Sequence, residues 1–236
     1  MQKNTIGLIG GIGWASTSEY YRIINEMTVA RMGSAYSARI VLSSLNQFDF
    51  TSRTSEENSL AIEKFLIQEG KRLKAAGADF FIFCANGVHR FAPAVVPQIG
   101  LPFISIVEET VKRVQASKIK KIGLLGVKAT MSGNFYRDQL ASTGVDLVVP
   151  RMDDQDTIHE IICSELIHNR ITDESRSIFV EIIRKLALDG AGGVILGCTE
   201  IPLLIHQHDV DIPIFNTTEI HCEAVVKFSF RNNGLE

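Results

Sequence analysis

Apolar residues along this chain follow two alternating patterns. Ile6–Ile9, Arg39–Leu42, Phe80–Phe83 and Phe103–Ile106 are short, nearly continuous apolar runs, which suits strands buried on both faces of a parallel sheet. Between them the apolar positions are spaced for helices. Tyr20, Ile23, Ile24, Met27 and Ala30 fall on one helical face, and Ser16-x-x-Glu19 ahead of them reads as a capping box. Ile62, Phe65, Leu66 and Leu73 form a second such face, and Gly77 suits the residue just past that helix. Strand and helix alternation of this kind predicts parallel sheets with helices on both faces.

The pattern then repeats. IGLLG at 122–126 echoes IGLIG at 6–10, and NFYR at 134–137 echoes EYYR at 19–22. KRLKAAGADFFIFCA (71–85) aligns without gaps on RKLALDGAGGVILGC (184–198), so that Leu73 meets Leu186, Gly77 meets Gly190, and Ala85 meets Cys198. LPFIS (101–105) and IPIFN (212–216) close the two halves alike. A duplicated unit of this length is no solenoid, whose periods are about 20–50 residues. The fold class expected is α/β: two pseudo-symmetric, doubly wound lobes, each with a mostly four-stranded parallel sheet. The first lobe is placed at 1–100 plus 217–236 and the second at 101–216. Ligands of open α/β sheets bind beyond the carboxyl ends of the strands, so a site in a cleft between the lobes is expected.

Size and charge narrow the functions. The chain has 236 residues and a net charge of −3, with no basic run or acidic tail, which argues against nucleic acid and anionic membrane as partners. No apolar stretch approaches the ~18 residues of a membrane span, and the glycine-rich start lacks the long apolar core of an export signal. A cytoplasmic location is expected. The four cysteines, Cys84, Cys163, Cys198 and Cys222, have no C-x-x-C spacing and read as reduced thiols. Cys163 and Cys222 are expected to pack inside helices. His206 and His208 lack a third ligand nearby and are expected to be loop residues, so no metal site is predicted.

IGLIGGIGWAST (6–17) opens like a dinucleotide-binding turn. Ser16 stands where the third glycine belongs, however, and the second strand runs out through Ser43, Ser44, Leu45 and Asn46 without the acid that would hold a ribose. No Gly-Lys-Ser/Thr follows for a P-loop. What remains is a loop whose glycines let backbone amides approach an anion at a helix N-terminus; Gly11 and Ile12 are its candidate contacts, and a carboxylate suits it.

Two strand ends carry the remaining chemistry: CANGVH (84–89) and GCTEI (197–201). With the GGIGWAST loop, these segments resemble the aspartate/glutamate racemase family along nearly the whole chain. The resemblance implies a cofactor-independent amino-acid racemase, without pyridoxal phosphate, whose two cysteines face opposite sides of the substrate α-carbon. One thiolate removes the α-proton and the opposite thiol returns one. By this resemblance Cys198 is a proton-transfer thiol, Thr199 and Asn86 bind the substrate carboxylate, and Glu200 stands at or behind the substrate. A small amino acid or dicarboxylic acid as substrate, and a homodimer, are implied in the same way.

The first motif departs from the family pattern. A cysteine usually stands directly before the Asn-Thr pair, but here the segment is Ala85-Asn86-Gly87, and Cys84 lies one residue earlier. A one-residue shift along a strand turns a side chain to the other face, so Cys84 is expected not to mirror Cys198 unless the loop bends before it. Ala85 and Gly87 remain candidate substrate-lining positions. Arg53 lies where some relatives bind a side-chain carboxylate, while the second-lobe lysine of some relatives has no clear match near Ile167 and His168. His89 follows the first motif as a capping or proton-shuttling residue, and Trp14 either walls a pocket or packs. Two other readings remain. A single thiol suffices for the decarboxylation of a malonate-like acid, as in the arylmalonate decarboxylases that this chain also resembles. A non-catalytic amino-acid binder is the third.

Overall fold

The computed structural model describes residues 3–52 and 59–231. Two compact units divide the chain, Met1–Ser105 with His221–Glu236 in one and Ile106–Ile220 in the other.

The first unit begins with β1 (Ile6–Gly10), buried at every position because helices cover both its faces. Helix α1 (Trp14–Met32) follows. Its N-cap is Gly13, in extended conformation and without a side-chain cap. The expected capping box at Ser16 and Glu19 is therefore not formed: Ser16 lies buried inside the first turn, and Glu19 pairs with Arg22 at 2.7 Å. Thr17 does the local work instead, accepting the Gly11 amide at 2.8 Å and donating to the Gly13 carbonyl at 3.1 Å. Tyr20, Ile24 and Thr28 form the buried stripe, and Ala30 is exposed. β2 (Ile40–Ser44), the short α2 (Gln47–Thr51), α3 (Ser59–Ala75) and β3 (Phe80–Phe83) come next. α3 ends as its glycine predicts. Gly77 has φ +90°, its amide donates to Lys74 at 3.0 Å, and the Ala78 amide donates to Leu73 at 3.0 Å, a Schellman turn. A 3₁₀ turn (Gly87–Phe91) leads into α4 (Ala92–Ile99).

The first sheet is parallel, in the order β2-β1-β3. The fourth strand expected at Phe103–Ile106 shrinks to a single bridge between Phe81 and Phe103. The Ile104 carbonyl, which would extend that ladder, is instead taken by His221 Nε2 at 2.9 Å, and the chain turns helical at Ile106.

The second unit contains α5 (Ile106–Ala116), β4 (Lys121–Leu125), α6 (Lys128–Met131), α7 (Asn134–Ala141), β5 (Asp146–Val148), α8 (Met152–Ser164), α9 (Asp173–Leu188), β6 (Val194–Leu196), α10 (Ile201–Leu204), β7 (Ile214–Asn216) and α11 (Thr217–Ser229). Its sheet is parallel, in the order β5-β4-β6-β7, which matches the first sheet with β7 in the place of the Phe103 bridge. α9 closes on Gly190 (φ +92°) with the same pair of bonds as α3, Gly190 to Ala187 and Ala191 to Leu186.

Each sheet separates two apolar clusters. In the first unit Ile9, Phe81 and Phe83 pack with Ile62, Leu66 and Leu73 of α3, while Ile6, Leu8, Phe80 and Ile82 pack with Tyr20 and Ile24 of α1 and with Cys222, Val225 and Val226. In the second, Val194 and Leu196 pack with Phe179, Ile182 and Leu186 of α9, and Ile195 with Tyr136, Val107 and Val111. α11 thus starts in the second unit and completes the core of the first. No helix among the described residues is long and apolar enough to cross a membrane.

Candidate active site

In the second unit the chemistry gathers where β6 ends. The Thr217 hydroxyl, at the start of α11, donates to the Leu196 carbonyl at 2.8 Å and fixes the last strand residue. Gly197 follows, and a Cβ there would stand 2.7 Å from the Leu125 carbonyl oxygen, so the backbone passes too close for any side chain. Cys198 comes next and is half-buried, packed against the α8–α9 side of the sheet. Its Sγ donates to Glu200 Oε2 at 2.9 Å, and the Thr199 hydroxyl donates to the same oxygen at 3.0 Å. Thr199 and Glu200 are both buried. Burial first, and the Glu200 carboxylate second, hold the Cys198 thiol well above the ordinary thiol range.

In the first unit the corresponding turn follows β3. The Cys84 amide continues the ladder to Ile9 at 2.9 Å. Alternation then decides the faces: Cys84 lies with Phe80 and Ile82 in the α1 cluster, while Ala85 packs with Phe81 and Phe83 in the α3 cluster. Ala85 is therefore the face-mate of Cys198, because α3 and α9 are the repeated helices. Cys84 is buried, and burial alone pushes its thiol far up. Asn86 is buried and starts the 3₁₀ turn, and Gly87 is half-buried. His89 donates from Nδ1 to the Ala85 carbonyl at 2.9 Å, and its ring meets Phe83 and His221 edge to face and Phe103 at a tilt. Burial pushes the imidazole down to about 4, against hydrogen bonds to the Ala85 and Asn86 backbone that raise it, so it is neutral near pH 7.

The profile of the Asp/Glu/hydantoin racemase family matches residues 9–225. The chain belongs to that family. It is 21% identical over 225 residues to the broad specificity amino-acid racemase RacX of Bacillus subtilis (strain 168), covering 94% of this chain and 96% of the relative. Among solved structures it is similar to a candidate Asp/Glu racemase from Yersinia pestis, with 34% identity, a TM-score of 0.90, and coverage of 97% and 100% of the two chains. It is also similar to an aspartate racemase homologue from Pyrococcus horikoshii OT3, with 30% identity, a TM-score of 0.85, and coverage of 96% and 99%.

The remaining candidate positions in this racemase-family chain differ in what they offer. Gly11 has φ +79° and lies buried against the Leu45 backbone. Its amide, which the sequence reading offered to an anion, is directed to Thr17 instead. Ile12 is half-buried on the α3 side. Arg53 lies outside the described residues. Trp14 is 63% exposed and packs in no core cluster. Ile167 packs against the second unit's core and His168 is exposed. Cys222 is buried, but Cys163 is exposed on α8 with its Sγ 3.7 Å from His159 Nδ1, which corrects its reading as a packing thiol. His206 and His208 stack at 5.5 Å around Asp209, and no group of three or more His, Cys, Asp or Glu residues that could hold a metal is found among the described residues.

Two buried hydroxyls escaped the sequence reading. Thr130 and Thr218 have hydroxyl oxygens with no hydrogen-bond partner among the described residues. Thr130 lies against Gly126 and Gly197, at the ends of β4 and β6. The signal for it was a Thr soon after each echoing strand, Thr17 after IGLIG and Thr130 after IGLLG.

Proposed function

We propose that the chain is a cofactor-independent amino-acid racemase or isomerase, acting on aspartate, glutamate or a related amino acid through the Cys198 thiol. The observation that carries this reading is the position of Cys198: half-buried beyond β6, on the α9 face, with its proton directed to Glu200. In thiolate form the sulfur takes the α-proton, so that the C–H bond breaks, an S–H bond forms and the electron pair passes into the substrate carboxylate. Return of the proton from sulfur reverses each step. Asn86 and Thr199 serve the carboxylate, and preorganised donors of this kind stabilise the developing charge. Ala85 offers no proton on the first unit's matching face, and Cys84 is held within the α1 cluster, so the chemistry rests on one sulfur. The acting form is taken to be a homodimer, as the family resemblance implies.

A panel of D- and L-amino acids in deuterated water, followed by proton NMR, tests this. At least one member should exchange its α-proton, and Cys198→Ala should abolish the exchange. Retention of configuration during exchange would mark a site with one thiol and favour the second reading below, whereas inversion would mark a second base on the opposite face and racemisation. Exchange by Cys198→Ala at the parent rate refutes the reading. The lone thiol also favours a second reading, decarboxylation of a malonate-like acid, since one stereospecific protonation completes that reaction. Release of carbon dioxide from substituted malonates would support it over racemisation.

A further inference from the structure

The second unit holds a cavity of about 310 Å³ that the chemistry at Cys198 does not use. It lies between the start of α8 and the end of α9. Asp189 on its rim precedes β6 and Cys198 follows it, so the cavity and the thiol belong to opposite ends of that strand. Its volume falls at the lower end of the ~300–1,000 Å³ of small-molecule sites. The floor is aliphatic. Ile182 and Leu186 are buried there, while Leu188, also in the lining, is 72% exposed and belongs to no core cluster.

Four charged residues surround this floor, and two of them answer each other. Lys185 Nζ meets both carboxylate oxygens of Asp154, at 3.0 and 3.1 Å, which ties α9 to α8 beside the cavity. Arg151 and Asp189 are left over. Both are exposed, and neither side chain makes an ion pair or hydrogen bond among the described residues. Their backbones, by contrast, are fixed. The Gln155 amide donates to the Arg151 carbonyl at 2.9 Å, and the Gln155 side chain donates to the Pro150 carbonyl at 2.7 Å. The Asp189 amide donates to the Lys185 carbonyl at 3.0 Å, and the Asp189 carbonyl accepts from Lys121 Nζ. One unanswered cation and one unanswered anion thus stand on two anchored helix ends around an aliphatic floor.

We propose that this cavity binds a free aliphatic amino acid of leucine's size, with its α-carboxylate on Arg151, its α-ammonium on Asp189 and its side chain on Ile182, Leu186 and Leu188. Charge complementarity selects this class. A simple aliphatic carboxylate would leave Asp189 unanswered, and an aliphatic amine would leave Arg151 so. An amino acid with a charged side chain would set a third charge against the apolar floor, which is costly without a partner. The planar guanidinium meets both oxygens of a carboxylate, so Arg151 orients the ligand as well as attracting it. No proton transfer is involved, and the site stands independently of the reading of Cys198.

NMR of the full chain with labelled isoleucine and leucine methyls tests this. L-Leucine, titrated to about 20 mM, should shift the methyls of Ile182, Leu186 and Leu188, with half-saturation below about 5 mM. N-acetyl-leucine lacks the ammonium and leucinamide lacks the carboxylate, and each should bind at least about tenfold more weakly. Arg151→Gln and Asp189→Asn should each weaken leucine at least about tenfold, while α-proton exchange of the racemase substrate stays within about twofold of the parent. Both side chains are exposed, so neither change threatens the fold. Shifts confined to Ile201 and Leu204 of α10, which follows Cys198, would show leucine entering the active site alone and overturn the proposal. No shift at the three cavity residues, or N-acetyl-leucine binding as tightly as leucine, would overturn it too. If leucine binds in the cavity while Cys198→Ala still exchanges α-protons, the proposal stands and the reading of Cys198 falls by itself.

Discussion

Acid should weaken the first unit well before its carboxylates titrate. Two imidazoles lie buried there. His221 accepts the Tyr20 hydroxyl at Nδ1 (2.8 Å) and donates from Nε2 to the Ile104 carbonyl (2.9 Å), and its ring centroid is 6.0 Å from that of His89. Burial pushes His89 down to about 4 and His221 to about 3, the latter helped by the neighbouring His89. Both lie below the ~6.5 of an unfolded-chain histidine, so as pH falls the unfolded state binds protons that the folded state refuses, and stability drops. Between pH 7 and 5.5 linkage gives about 1 kcal/mol from each ring and about 2–3 kcal/mol together. The loss continues towards pH 4 and then levels for His89. Urea unfolding at the two pH values, followed by far-UV circular dichroism and by the fluorescence of Trp14, the sole tryptophan and a first-unit residue, reads this directly. The midpoint should fall by roughly 1 M if unfolding exposes about 2–3 kcal/mol per molar of urea. The double variant His89→Gln, His221→Gln should be less stable at pH 7 and nearly indifferent to this pH change. A parent midpoint that moves by less than about 0.2 M, or a double variant with an undiminished shift, would refute the assignment of neutral buried imidazoles.

Two substitutions separate the two sides of the repeat. Ala85→Cys sets a thiol on the face that Cys198 occupies in its own unit and should raise racemisation at least about tenfold, measured by polarimetry or chiral chromatography; a fall would show that residue 85 is not the register mate of Cys198. Cys84→Ala removes a buried sulfur from the α1 cluster and should cost about 1–2 kcal/mol, with a Tm roughly 3–6 °C lower, yet leave Cys198-dependent exchange within about twofold of the parent; loss of exchange in a folded Cys84→Ala would place that thiol in the chemistry.

Much of this arrangement was readable from residues, and the exceptions have physical causes. The apolar runs predicted β1 and β3 because helices cover both their faces, whereas the run at 39–42 forms the edge strand β2, which is partly open and leaves Leu42 44% exposed. Gly77 and Gly190 announced their helix ends because their φ values of +90° and +92° suit no other residue well. The NFYR–EYYR echo was one residue out. The buried tyrosines are Tyr20 and Tyr136, which keep the spacing of IGLIG and IGLLG, since core packing rather than residue identity sets the register. Ser16 looked like an N-cap because Ser-x-x-Glu is a local pattern, but Gly13 starts the helix earlier and Thr17 satisfies the loop amide. The Phe103 strand was lost to a contact no local pattern contains, the bond from His221 to Ile104 across 117 residues. At the site, GCTE and the offset between Cys84 and Ala85 were visible at once. The sharing of Glu200 Oε2 between Thr199 and Cys198 was not, because spacing along a turn does not say where a carboxylate points.

Duplication explains why the two turns diverged as they did. What must be equal for the scaffold has stayed equal: the glycine ending each α3-type helix, the buried tyrosine, and the order of the parallel strands. At 84/197 the units carry Cys and Gly, and at 85/198 Ala and Cys, one position on each face of the strand end. In the second unit Gly197 has no room for a side chain, because the Leu125 carbonyl, a Leu124 methyl and the Thr130 methyl already occupy that space. In the first unit the threonine of the equivalent loop leans on Gly10 instead, and the space at residue 84 is filled by the cysteine's own sulfur, among Ile82, Tyr20 and Cys222. Cys84 and Thr130 are thus two solutions to one packing problem, and the sulfur at 84 is accounted for without chemistry. The sulfur at 198 has no such account. Its face-mate Ala85 shows that a methyl group suffices for packing there, and a thiol held against a buried carboxylate carries a desolvation cost that packing alone does not require.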